Sequence, residues 1–288
     1  MDQNLVEVEN VLFTTKDVTD RSWAGYGYRE LELLMDGKPT GYKAILRNGD
    51  LVSIVSKKYE LVPNEVIEEV SDMLANEIGA KKLPSSGIVG NRFYGLYDLG
   101  KDIEPIRGVS GRLGYFVYNS IDSTLGYGVS VLTTIYSGGS SFVAMLWALR
   151  LYRTLSPTAA AAIIKKKHVG ASIEKEKSGL KEEMLRLIRR AEEAIAIYRL
   201  WSEVEVKPDD PVAKNIAISI PKGILVSTGH FRALKEGVTL EHVVNCFDLF
   251  VDIGEAIWHG GTKSGKKYTI DRRAQLFRAL CNALPRPE

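Results

Sequence analysis

The dipeptide Asn48-Gly49 sits between the runs Tyr42–Arg47 and Leu51–Val55, and it constrains this chain more tightly than any other short stretch. Both residues tolerate positive φ, so they suit a two-residue turn whose twist matches paired strands, and a hairpin is predicted there. Past it, Pro63 reads as the first position of a helix, where its missing N–H costs nothing. Val66, Ile67, Val70, Met73, Leu74 and Ile78 follow at helical spacing, and Gly79 closes the segment. Strand character then returns. Phe93–Tyr97 and Leu113–Tyr118 are rich in aromatics, and Tyr127–Tyr136 is rich in β-branched residues. The segment 141–163 fits strand or helix, and Pro157 interrupts it. A helix is predicted over 178–201, with Leu180, Met184, Leu187, Ile188, Ala191, Ile195 and Tyr198 on one face. Pro208 and Pro211 mark a bend, and helical patterns resume over Leu240–Trp258 and Arg272–Leu284. Strands first and helices later is the order of an α+β fold, not of a parallel α/β sheet. The expected layout is a strand-rich lobe over 1–160, with its helix near 63–78, integrated with a helical lobe over 161–288.

Composition narrows the class. Hydrophobic residues make up 45% of the 288 and charged residues 26%, enough apolar matter for a large core, so an ordered chain is expected except at its ends. No apolar run approaches the roughly 18–20 residues of a membrane helix; the longest, Phe142–Leu149, is stopped by Arg150. Met1-Asp2-Gln3-Asn4 lacks the basic-then-apolar pattern of a secretory signal. Cys246 and Cys281 are the two cysteines, and they read as buried thiols in a reducing cytoplasm. Gln3 and Gln275 are the two glutamines; scarce Gln and Cys beside plentiful Lys, Arg and Glu lean toward a thermophilic source.

The net charge of +2 conceals a segregation. Residues 1–80 carry 8 Lys/Arg against 15 Asp/Glu, residues 150–190 carry 11 against 4, and residues 263–288 carry 7 against 2. Basic charge gathered in two segments is what a polyanion-binding surface needs, because each phosphate it neutralises releases counterions. Solvated helix faces would give the same pattern. His168, His230, His242 and His259 show no zinc-ligand spacing, and neither cysteine has a neighbour of its kind, so no metal or other cofactor is expected. There is no phosphate-binding Gly-x-x-x-x-Gly-Lys-Ser/Thr and no Gly-x-Ser-x-Gly elbow, so the reading is of a non-enzyme, although a site assembled only in space remains open. A pocket joining His168 or His259 to a buried carboxylate would point to one. Lys165-Lys166-Lys167-His168, continued by Arg189 and Arg190, reads as a phosphate-tracking patch or as a solvated connector. Gly260–Lys267 mixes glycine, hydroxyls and lysines; it reads as a phosphate-wrapping or a merely flexible basic loop. The tyrosines of 94–136 read as sheet core or as stacking platforms for unpaired bases.

Several segments resemble a family of phage- and plasmid-associated proteins known as a domain of unknown function. Leu51–Leu61 followed by Val62-Pro63-Asn64 is similar to its apolar strand, tyrosine (here Tyr59) and valine–proline–asparagine helix start. Asn119-Ser120-Ile121-Asp122-Ser123 resembles its asparagine–serine–x–aspartate–glycine motif, with Ser123 in place of the glycine. Ile164–Gly170 is similar to its basic–histidine–small segment, and Phe247 to Trp258 suits its C-terminal helices. Where the family carries a Cys-x-Gly element, this chain has Tyr136-Ser137-Gly138-Gly139. The resemblance spans roughly residues 40–260. It implies a mobile-element setting and, by analogy of layout, kinship with Rad-type and phage Red-type single-strand annealing proteins.

The expected function is therefore binding of single-stranded nucleic acid, DNA before RNA, with annealing of complementary strands in replication or recombination of a virus or plasmid. Lys165, Lys166, Lys167, His168, Arg189 and Arg190 form one expected strip, and Lys263, Lys266, Lys267, Arg272 and Arg273 a second. A homo-oligomer is the expected assembly. The alternative is a protein–protein module of a mobile element, a host-defence antagonist or an assembly factor.

Overall fold

The computed structural model describes residues 5–8, 11–19, 21–125, 128–137, 139–146, 196–262 and 265–285, and in it the Asn48-Gly49 turn joins two strands. Strand β4 (Lys38–Arg47) runs antiparallel to β5 (Asp50–Ser56), with Arg47 opposite Asp50. Asn48 and Gly49 take φ of 51° and 93°, the left-handed pair that a two-residue hairpin turn demands. With β1 (Leu5–Val8), β2 (Val11–Asp17) and β3 (Tyr28–Met35) they form a five-stranded antiparallel meander in chain order. Period-two alternation divides β3 between two faces. Tyr28 turns toward one core, and Leu31 and Leu33 toward another.

Helix α1 (Asn64–Ile78) follows. Pro63 stands one place before the helix rather than at its first position, with ψ of 142°, and Gly79 ends it in the left-handed region. Val66, Ile67, Val70 and Leu74 are buried, which is the face that the spacing predicts.

The second sheet contains β6 (Lys81–Lys82), β7 (Gly87–Val89), β8 (Arg92–Ile106), β9 (Val109–Ser120), β10 (Gly128–Ser137) and β11 (Ser140–Leu146). Its order is β11-β10-β9-β8-β6, and β7 also pairs with β8. Along β8 and β9 the aromatics alternate. Phe93, Tyr97, Tyr115 and Val117 join Tyr28, Ile45, Val55 and α1 in one core. Tyr94, Leu96, Phe116 and Tyr118 join the C-terminal helices in a larger one. The aromatic-rich strands thus have both faces covered, which explains their continuous hydrophobic reading.

The C-terminal part mixes helices with short strand pairs. It comprises α2 (196–203), β12 (Glu205–Val206), α3 (Pro211–Ser219), α4 (Lys222–Ser227), β13 (Phe231–Leu234), β14 (Gly237–Leu240), β15 (Val244–Asn245), α5 (Cys246–His259) and α6 (Ile270–Ala283). The helical pattern predicted from Leu240 begins only at Cys246. Leu240 closes the β13–β14 hairpin, and Val244 pairs with Val206. Asn245 starts α5 by accepting a hydrogen bond from Phe247 N at 2.8 Å. Apolar spacing alone does not separate such short strands from a first helical turn. The fold is α+β, with strands concentrated in the N-terminal half and helices in the C-terminal half. Cys246 and Cys281 are buried and form no disulfide with each other. No described helix is long and apolar enough to cross a membrane.

Candidate nucleic-acid interface

The connection from α5 to α6 brings basic residues of the second strip together. Gly260 ends α5 in a tight place: a Cβ there would stand 2.4 Å from Ala256 O and 2.9 Å from the Tyr268 ring. The chain then makes a small loop. Gly261 bridges Lys267, Thr262 N donates to Lys266 O at 2.8 Å, and Tyr268 N donates to Gly260 O at 3.1 Å. These bonds shape a loop that propensity alone would leave floppy, and they present Lys266 and Lys267 to solvent. Thr269 caps α6 by accepting from Arg272 N at 3.2 Å. Arg272 is exposed.

Arg273 differs from its neighbours. Its guanidinium lies over the Trp258 ring, 4.4 Å from the centroid, and its Nε has no hydrogen-bond partner. Burial pushes its pKa below the usual arginine value. The sequence reading placed Arg273 among the phosphate-tracking cations. The structure gives it a half-buried stacking position, and Trp258 is the partner that reading missed. Helical spacing offered no signal for it, because the pair is made between two helices.

Asp271, the sole acid between 261 and 278, is tied inward. It accepts from Arg92 Nη1 at 2.8 Å, from Tyr94 Oη at 2.7 Å and from Gln275 Nε2 at 2.9 Å. The first of these holds the Arg92 pKa above its ordinary value. The arrangement pins the start of α6 to β8 and removes the one negative charge from the basic stretch. Lys165, Lys166, Lys167, His168, Arg189, Arg190 and Lys263 lie outside the described residues, as does most of the helix predicted over 178–201.

Two of the segments that carry the family resemblance, Tyr59–Asn64 and Asn119–Ser123, meet at one end of the second sheet, and Ile164–Gly170 lies outside the described residues. Asn119 Nδ2 donates to Val62 O at 3.0 Å and to Asn64 Oδ1 at 2.8 Å, and Tyr59 Oη donates to Ser120 O at 2.9 Å. Ser123, in the place of the motif's glycine, has φ of 59°. These contacts join β9 to the start of α1, so the motifs have an architectural explanation.

His259 donates from Nε2 to the carbonyl of Ser141 at 2.9 Å, and among the described residues it is not seen paired with a buried carboxylate. A different histidine does meet an acid: His230 Nε2 lies 2.6 Å from Asp252 Oδ2, and its Nδ1 lies 3.1 Å from His242 Nε2. Twelve residues separate the two histidines in sequence; the β13–β14 hairpin between them closes that gap. No group of three or more His, Cys, Asp and Glu side chains among the described residues is placed to hold a metal ion. No protein-family model matches the chain, and neither a curated protein nor a solved structure matches it.

Proposed function

We propose that the chain binds single-stranded nucleic acid, DNA in the first instance, and anneals complementary strands in the replication or recombination of a virus or plasmid. The observation that carries this reading is the α5–α6 connection, where Lys266 and Lys267 in the loop and Arg272 in the first turn of α6 are exposed while Asp271 is drawn inward. Three cations without a competing carboxylate can each neutralise a phosphate, and their spacing along a loop and helix start suits a backbone that lies across them. Arg273 and Trp258 stiffen the helix beneath. Annealing requires bases held outward and no bond-making chemistry, and the resemblance of Asn119–Ser123 and Tyr59–Asn64 to a mobile-element family points the same way. A homo-oligomer belongs to this proposal.

The test is fluorescence anisotropy of a labelled poly-dT oligonucleotide over a salt series, with Lys266→Ala/Lys267→Ala/Arg272→Ala measured beside the parent. The expected result is binding that weakens with salt, and a salt slope shallower by up to about three units in the variant. An unchanged slope would remove this surface from the interface. No binding at low salt would overturn the reading itself.

A second reading, a protein–protein module of a mobile element, draws on exposed apolar residues around α3, α4 and the β13–β14 hairpin. Ile218 is 85% exposed, and Val226, Leu234 and Val243 are exposed as well. Single exposed apolar side chains are ordinary, but four within one short stretch suit a partner surface.

A further inference from the structure

The contact among His230, His242 and Asp252 has the parts of a transition-metal site. His230 precedes β13, His242 follows β14, and Asp252 lies on α5, so three elements meet there. Asp252 accepts from His230 Nε2 at 2.6 Å, which fixes the tautomer and leaves the Nδ1 lone pair facing His242 Nε2 at 3.1 Å. Two Zn–N bonds of roughly 2.0–2.1 Å meeting at the tetrahedral angle place their nitrogens about 3.3 Å apart. To admit an ion the two nitrogens must separate by only a few tenths of an ångström, and the rings must turn so that their lone pairs converge beside the line that now joins them in a hydrogen bond. His242 is exposed, so its ring is free to turn and to carry its proton on Nδ1 instead. A ligating histidine whose other N–H donates to a carboxylate is the usual second layer of such sites, and it makes the ligand more basic.

The surrounding charge favours a cation. Asp248 lies one turn before Asp252 on α5, within electrostatic reach of both Asp252 and His230. Its carboxyl is held above the ordinary range by burial and by the neighbouring Asp252. Glu241, the residue before His242, is shared with Arg232 at 3.5 Å. Asp248 and Asp252, two carboxylates on one helix face beside the two imidazoles, supply negative charge that a dication would neutralise.

We propose that His230 Nδ1 and His242 Nε2 bind one divalent transition-metal ion, zinc or copper, with Asp252 holding His230 from behind and water completing the coordination. Two protein ligands, rather than the three or four of most zinc centres, make this a weak site open to exchange. The ion would tie together the two ends of the β13–β14 hairpin, with Asp252 of α5 behind one of its ligands. This site is independent of the basic surface at the α5–α6 connection.

The test is calorimetric titration of ZnCl2 into the untagged, chelator-treated chain near neutral pH, with Co2+ absorption as a second readout of the ligand field. Expected are one ion per chain, loss of that site in His242→Ala, and a weakening of about tenfold or more in Asp252→Asn. His259→Ala is the control and keeps the parent's affinity. His242 is exposed, so its removal leaves the fold intact, and circular dichroism of each variant checks this. A parent that binds no Zn2+ overturns the proposal. So does a His242→Ala variant that binds as well as the parent, since the ion would then be held elsewhere.

Discussion

Asn119 donates its side-chain amide to Asn64 Oδ1 at 2.8 Å, and both asparagines are shut away from water, Asn64 at 0% exposure and Asn119 at 4%. The same amide also donates to Val62 O, so one nitrogen fixes a carbonyl and a side chain just before and at the start of α1. Pro63 between them offers no N–H, and α1 has no side-chain cap. Asn119 on β9 thus ties down, from across the core, the chain that enters α1; as a donor it anchors this segment and does not cap the first N–H groups of the helix.

Truncating that amide should therefore be expensive. Asn119→Ala leaves two buried acceptors without a donor, and each such group costs about 1–3 kcal/mol. The expected loss is about 3 kcal/mol of unfolding free energy, seen in urea as a lower midpoint at unchanged slope. A loss below about 0.5 kcal/mol would mean that water reaches the site in solution.

Ser123 offers a change in the opposite direction. Its φ of 59° places an L-residue with a Cβ in the left-handed region, at a cost of roughly 1–2 kcal/mol. Part of that is returned when glycine is introduced, because glycine adds freedom to the unfolded chain. Ser123→Gly should raise stability by about 0.5–1 kcal/mol, read as a higher thermal midpoint. A lower midpoint would show that the serine side chain makes a contact that outweighs the backbone cost.

These two residues also show what the sequence made legible. The motif Asn119–Ser123 and the start Val62-Pro63-Asn64 were readable as short patterns, and so was the Asn48-Gly49 turn, because local chemistry dictates backbone conformation there. That the two motifs meet was not readable: Asn119 and Asn64 are 55 residues apart, and only the packing of β9 against α1 joins them. The basic strip behaved likewise. Lys266, Lys267 and Arg272 are exposed as charge patterning suggests, whereas Arg273 has the same charge and a different role because Trp258 lies beneath it. His230 and His242 were dismissed on spacing, and it is the hairpin between them that brings their nitrogens to 3.1 Å. Sequence periodicity also passed over β15, since Val244 and Asn245 are too short a pair to show alternation.

Arg272 and Arg273 are adjacent, and the structure separates what their loss should do. Arg272→Ala should leave stability nearly unchanged and lower the salt slope of oligonucleotide binding by about one unit. Arg273→Ala should cost about 1 kcal/mol through lost stacking and lost stem packing, with a change in tryptophan fluorescence. Arg273→Lys keeps the charge and loses the planar stack, so it should resemble the alanine variant in stability. If Arg273→Ala moved only the salt slope and neither stability nor fluorescence, the guanidinium would be solvated and the pair with Trp258 absent.

The buried phenols and thiol set the alkaline limit. Burial pushes Cys246 from 9.0 to about 12, and it pushes Tyr59 and Tyr118 from 10.0 to about 12. Burial together with hydrogen bonds to carboxylates drives Tyr28, Tyr94 and Tyr97 higher still, through Glu65, Asp271 and Asp72 respectively. For an acid whose folded pKa is raised, the unfolded chain loses its proton first. Its contribution to stability is complete below the unfolded value and is lost as pH climbs from there toward the folded value. Stability should therefore be flat on the alkaline side until near pH 9, where the unfolded thiol begins to ionise. It should then fall, more steeply once the unfolded tyrosines join above pH 10. The measurement is urea unfolding across this range, with tyrosinate absorbance and circular dichroism followed on the same samples. The buried tyrosines should ionise in step with loss of the native spectrum. Ionisation of all tyrosines near pH 10, with the native spectrum intact, would show that the phenols are open to water and that the two-sided packing of β8 and β9 is wrong.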